Sequence, residues 1–196
     1  QWTGGSWGQL GSDIDGAAIG DQFGWSVAMN SLGDRIAIGA KGFNGGSGQV
    51  KVYNLIVGNW VPLGSNINGV VGSDQFGYSV AMNTNGDRIA IGARGVSSYA
   101  GQVQVYEWNA GATDWGQLGG NIDGAANGDQ SGWSVAMNTA GNRIAIGAIG
   151  VSGGAGQVKV YQWTGGSWGQ LGSDIDGAAV NDQFGHSVAM NDDGTI

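Results

Sequence analysis

The chain has 196 residues, of which 42 are glycine and none cysteine, and a formal net charge of −8. Without cysteine there is no disulfide framework and no cysteine-held zinc. An acidic chain with seven scattered basic residues is a poor match for a nucleic-acid backbone or an anionic membrane face, and no stretch is long and apolar enough to cross a bilayer as a helix.

The chain repeats itself, and this overrides what its length alone suggests. Self-alignment gives units at 1–53, 54–106 and 107–161, of 53, 53 and 55 residues, and an incomplete fourth at 162–196. The anchor is Asp-Gln-Phe-Gly-Trp-Ser-Val-Ala-Met-Asn at 21–30, which returns at 74–83, 129–138 and 182–191 and holds all four methionines, one per unit. Residues 1–30 and 162–191 are identical at 27 of 30 positions, differing only at Ile19/Val180, Gly20/Asn181 and Trp25/His186. This marks a block of 161 residues copied in tandem, as expected for a segment of a longer protein.

In chain order, a Gly-rich turn at 3–6 leads into a strand beginning at Trp7, which recurs at 60–67. Further strands are predicted near 24–30, 35–40 and 48–54 from a period-two apolar pattern. That pattern predicts burial of Val27, Met29, Ile36, Ile38, Val50 and Val52. The loop at 30–34 has Gly33 where a short hairpin needs a left-handed residue. The connection at 41–47 and its counterpart at 94–100 vary between units, so recognition is expected there. The predicted fold is all-β: tandem four-stranded antiparallel meanders packed face to face as the blades of a β-propeller, in a partial ring or an open array.

Phe23-Gly24 with Ser26-Val27-Ala28, followed by Ile36-Ala37-Ile38-Gly39-Ala40, resembles the FG-GAP repeats of integrin-α-type propellers and of long tandem-repeat surface proteins of microbes and microalgae. Phe76-Gly77 with Ile91-Gly92-Ala93 matches again; Ser131-Gly132 with Ile146-Gly147-Ala148 has lost the Phe. The resemblance implies a scaffold or binding surface. It departs in two places. The family's Pro after Gly-Ala is replaced by Lys41, Arg94 and Ile149, and the loop at 30–34 is too short and too poor in carboxylates for the family's calcium site.

Two sets of residues are candidates for chemistry. The acidic positions Asp13, Asp15, Asp21, Asp123, Asp129, Asp174, Asp176 and Asp182 recur before glycines, as oxygen ligands do at the start of a calcium loop. The same side chains serve equally to cap turns through backbone N–H groups. Trp25, Tyr78, Trp133 and His186 occupy one repeat slot and are candidate ligand-binding residues, a saccharide being the natural ligand of such a surface. The sets Trp7/Trp60/Trp115/Trp168 and Trp2/Leu55/Trp108/Trp163 read as blade packing. His186 is the single histidine, and no nucleophile-and-base constellation can be assembled around it. The expectation is therefore a non-enzymatic structural or adhesive segment of an extracellular or cell-surface protein. No cofactor is expected except calcium at the acidic turns. Expected partners are other copies of the repeat, neighbouring subunits or surface glycans, and neither nucleic acid nor membrane insertion is expected. The alternative is a carbohydrate-binding, lectin-like propeller.

Overall fold

The computed structural model describes residues 1–195. Three antiparallel sheets follow one another along the chain. The first runs Phe23–Met29, Arg35–Ala40, Gln49–Ile56, then an outer strand in two pieces, Asn59–Pro62 and Ile67–Asn68, both paired with Gln49–Ile56. The second runs Phe76–Met82, Arg88–Ala93, Gln102–Asn109, Asp114–Gln117 and Ile122–Asp123. The third runs Ser131–Met137, Arg143–Ala148, Gln157–Trp163, Trp168–Gln170 and Ile175–Asp176. These are the expected four-stranded meanders. The first strands of successive sheets lie side by side, and Met29, Met82, Met137 and Met190 converge on one cavity at their ends, which places these strands nearest the common axis.

Strand alternation gives each sheet two unlike faces. In the first sheet Val27 pairs with Ile38 and Met29 with Ile36, so large side chains share one face. Ala28, Ala37 and Val52 line the other, with Gly39, Val50 and Ile67. The small face of one sheet receives the large face of the next. Ala37, Val50, Val52 and Ile67 form one core with Phe76, Ile89, Ile91 and Ala93, closed at the rim by Trp115. The next interface repeats this, with Ala90, Val103, Val105 and Ile122 against Val135, Ile144 and Ile146. Each fully buried Val or Ile contributes roughly 1.5–3 kcal/mol. Of the residues expected inside, Ile38, Val50 and Val52 are buried and Ile36 is half-buried, but Val27 and Met29 are 59% and 51% exposed. They lie on the large face of the first sheet, against which no earlier sheet packs among the described residues. Their counterpart Val135, at an internal interface, is buried.

Near the axis the sheets come into backbone contact. A Cβ at Gly39, Gly92 or Gly147 would overlap the carbonyl oxygen of Gly77, Gly132 or Gly185 in the next unit. Those same carbonyls accept hydrogen bonds from Ser26, Ser79 and Ser134 Oγ at 2.7, 2.8 and 2.7 Å. At the opposite ends of these strands, Arg35, Arg88 and Arg143 each send Nη1 to a turn carbonyl of the following unit, at Gly86, Gly141 and Asp193. At the rim, Trp60, Trp115 and Trp168 donate Nε1 backward to the carbonyls of Leu10, Leu63 and Leu118 at 2.9–3.0 Å. These three tryptophans pack as their repeat position predicts, whereas Trp7 at the matching position is 81% exposed.

The hairpin at 30–34 has Gly33 at φ 69°, as its sequence requires. Its organiser is the buried Asn30, whose Oδ1 accepts from the Asp34 and Arg35 backbone N–H groups at 3.1 and 2.9 Å. The variable connection at 41–47 contains a left-handed turn, with Asn44 at φ 48° and Gly45 at φ 67°. Its backbone is not free. The Gly46 and Ser47 carbonyls accept from Gln75 and Phe76 N–H, so this loop also ties one sheet to the next.

A matched pair of substitutions tests the axial contact. Gly92→Ala forces a methyl group onto the Gly132 carbonyl, and a loss of about 1–3 kcal/mol in urea unfolding is expected. Gly116→Ala, on an outer strand with open space at its Cβ, is expected to change stability by no more than about 0.5 kcal/mol.

Candidate functional site: an aromatic ridge carrying two cations

Each first strand opens with an irregularity, a register shift between Phe23 and Ser26 in the first sheet and at the matching places in the next two. Gly24, Gly77, Gly132 and Gly185 all sit there at φ between 82° and 86°. Such bulges re-aim the following side chain. Here that side chain is Trp25, Tyr78, Trp133 or His186. The structure brings all four into one ridge. Ring centroids are 5.6 Å apart from Trp25 to Tyr78, 5.1 Å to Trp133 and 5.3 Å to His186, with planes tilted by 45–55°. Trp25 is about half exposed, Tyr78 and Trp133 are half-buried and His186 is exposed.

Two further members of this ridge come from the variable connections at 41–47 and 94–100, though neither was singled out by residue as a ligand-binding candidate. Lys41 Nζ stands 3.4 Å from the Trp25 ring centroid and 5.2 Å from that of Tyr78. The Arg94 guanidinium carbon lies 4.3 Å from Tyr78 and 4.7 Å from Trp133. Arg94 is fixed in this position: its Nε donates to Gln75 Oε1 at 2.7 Å and its Nη1 to Gln130 Oε1 at 3.1 Å. Both cations occupy the position where the FG-GAP pattern has proline; the third unit places Ile149 there. Burial and the neighbouring Arg94 charge pull the Lys41 amine below its ordinary pKa. Burial pushes the Tyr78 phenol up, partly offset by Arg94.

The acidic set is dispersed. Asp123 and Asp176 accept from Gln102 and Gln157 Nε2 across the sheet, each at 2.7 Å. Asp13 accepts from Gln9, and Asp174 from Gln157 and Gln170 while also facing Lys159 at 3.5 Å. Asp129 and Asp182 cap turns through the Ala126 and Ala179 N–H groups, each at 2.8 Å. Asp15 is exposed, and Asp21 accepts from Gly42 N–H through its backbone carbonyl. Among the described residues no group of three or more His, Asp or Glu side chains converges on a point where a metal ion could sit.

No family model matches the chain, and no curated protein does. A solved structure does: that of Sqt1 from Saccharomyces cerevisiae, a β-propeller protein, with a TM-score of 0.56 and 14% sequence identity. The likeness covers 81% of this chain and 37% of Sqt1, so the chain spans little more than a third of that protein's length. This chain has the propeller fold. At 14% identity the likeness extends to architecture only, and the FG-GAP resemblance rests on the residues quoted for it. In propeller terms the sheets are blades, the ridge crosses their axial strands, and Lys41 and Arg94 stand on the loops joining second to third strands. The ridge is thus a surface built by several blades together, one ring from each.

The acidic turns have a direct test. Asp129→Ala removes the cap on the Ala126 N–H and is expected to cost about 1 kcal/mol. The melting temperature of the parent chain is expected to be the same in calcium and in chelator, since only a ligand bound by the folded state raises it. A calcium-dependent rise abolished by Asp129→Ala would make these turns metal sites.

Proposed function

We propose that this chain is a non-enzymatic structural or adhesive segment of an extracellular or cell-surface protein, which works by stacking its blades against further copies of the same repeat. The observation that carries this reading is the large face of the first blade. Val27 and Met29 stand exposed there, although the equivalent face is packed into a core at both internal interfaces. The occupant that fits is the small face of another blade of the same sequence, because the chain itself makes that match twice.

Both ends of the array support it. Residues 1–14 sit where the outer strand of a preceding blade belongs: the Leu10 carbonyl accepts from Trp60 Nε1 as Leu63 and Leu118 accept from Trp115 and Trp168. Between this segment and the first blade lies an apolar cleft lined by Trp7, Leu10, Ile14, Met29, Ile36 and Leu55. At the other end, Gly185 accepts from Ser134 Oγ, so axial-strand residues of a following blade are already docked. The near-identity of residues 1–30 and 162–191 suits a long repetitive scaffold.

A second reading, saccharide binding, is favoured by the ridge, because adjacent aromatic rings shared by several blades form a recognition surface independent of the stacking faces.

Sedimentation velocity over a range of concentrations tests the stacking. Concentration-dependent association is expected for the parent chain and its loss in Val27→Lys/Met29→Lys, with an unchanged circular dichroism spectrum. A parent chain that stays monomeric at every concentration would overturn the reading.

A further inference from the structure

The seven basic residues of this chain are not equivalent. Arg35, Arg88 and Arg143 are committed to carbonyls of the following blade. Lys159 faces Asp174, and Lys51 lies 5.6 Å from the Phe23 ring. That leaves Lys41 and Arg94, which both lie against Tyr78 and between them touch three consecutive rings. Neither makes an ion pair with a carboxylate among the described residues. Two like charges are thus held near each other on a chain of net charge −8 without a counterion of their own. Their proximity is unfavourable, and the lowered Lys41 pKa has Arg94 as one of its causes.

Arg94 is also preorganised. Two rings and two glutamine side chains fix its plane, using Nε and one hydrogen of Nη1. Both Nη2 hydrogens and the second Nη1 hydrogen remain as donors for the oxygens of a carboxylate or sulfate. A group already held in its binding orientation loses little conformational entropy when a ligand arrives. The same arrangement disfavours a neutral sugar, because cations already stand against Trp25, Tyr78 and Trp133, where a sugar would stack.

We propose that the Lys41–Arg94 pair on the aromatic ridge is a binding site for the anionic group of an acidic polysaccharide, a carboxylate or sulfate borne on a pyranose chain. This rests on the second reading, the ridge as a binding surface, and is independent of blade stacking. A polysaccharide is favoured over a compact anion because the ridge continues past the two cations to the exposed His186 ring, 5.3 Å beyond Trp133. In this arrangement the guanidinium and the Lys41 ammonium share the oxygens of the anionic group, and the sugar chain extends from there toward His186. Because the rest of the protein repels polyanions, attachment is local to this pair and weakens with salt.

The test is binding of the 196-residue chain, by calorimetry or biolayer interferometry, to polygalacturonate, dextran sulfate, neutral dextran and polyglutamate. Saturable binding to polygalacturonate or dextran sulfate is expected, with none to dextran. The affinity is expected to fall about tenfold or more in Arg94→Gln and in Lys41→Gln, and to be unchanged in Lys159→Gln. Arg94→Lys keeps the charge but not the fork, and an intermediate loss is expected. Comparing the two acidic polymers tells carboxylate from sulfate. Lys41 is half-buried and stands against the rings with no side-chain hydrogen bond among the described residues, so its variant remains informative should Arg94→Gln fail to fold. Equal binding of neutral dextran, lost in Trp133→Ala, would overturn the anionic site while leaving saccharide binding in place. Polyglutamate bound as tightly as the polysaccharides, acidic binding indifferent to both variants, or no binding to any probe would overturn the proposal. Self-association measured on Lys41→Gln reports on stacking separately and is expected to match the parent chain.

Discussion

The whole arrangement depends on how close neighbouring sheets come at the axis. Gly39, Gly92 and Gly147 carry no side chain, so the carbonyls of Gly77, Gly132 and Gly185 can enter the space a Cβ would fill and meet a serine hydroxyl there. Only with this narrow inner spacing can Val50, Val52 and Ile67 reach Phe76, Ile89 and Ile91 farther out. The tryptophan and arginine links then hold the rim and the far ends of the strands at matching distances. A sheet with one small face and one large face is the natural element for a radial stack, because facing layers must interdigitate to fill their shared volume.

The ridge follows from the same constraint. The bulge glycines that let the axial strands approach each other also turn one side chain per blade toward its neighbours, so the rings meet in sequence. The two cations are a local addition to this frame. They stand on loops whose backbones are already spent on inter-blade hydrogen bonds, which gives their side chains a rigid base. Rigid support beneath a few variable positions is the usual way a repeat scaffold acquires recognition.

Much of this was legible in the sequence. The strands, their antiparallel order and the left-handed Gly33 followed from period-two patterning and turn chemistry, both of which are local. The Trp25/Tyr78/Trp133/His186 slot was visible as a repeat position with exchanged aromatics. What the sequence did not disclose were contacts between units. Val27 carries the same pattern as Val135, yet one is exposed and the other buried, because burial depends on whether a blade stands next to it. Lys41 and Arg94 were seen as departures from a proline position, but their role depends on rings 53 residues apart in sequence, at Trp25 and Tyr78, or 55 apart, at Tyr78 and Trp133. The acidic positions show the reverse. Their spacing suggests shared ligation along the chain, whereas pleating and turn geometry send the carboxylates to glutamine amides and turn N–H groups, and only Asp174 and Asp176 share a partner, Gln157.

The links between blades also have a direction. Serine and arginine near the axis donate to the following unit, whereas tryptophan at the rim and the backbone of the Gln75–Phe76 segment donate to the preceding one. Each blade therefore has a leading and a trailing side that cannot be exchanged. Copying or deleting a whole unit restores the serine, arginine, tryptophan and loop-backbone links at the new junction, so a gene can change the length of such an array in steps of one blade without inventing any new interface. An insertion of one residue inside a strand reverses its faces and breaks two interfaces at once. Length is thus a freely evolvable property of this architecture, and internal register is a frozen one.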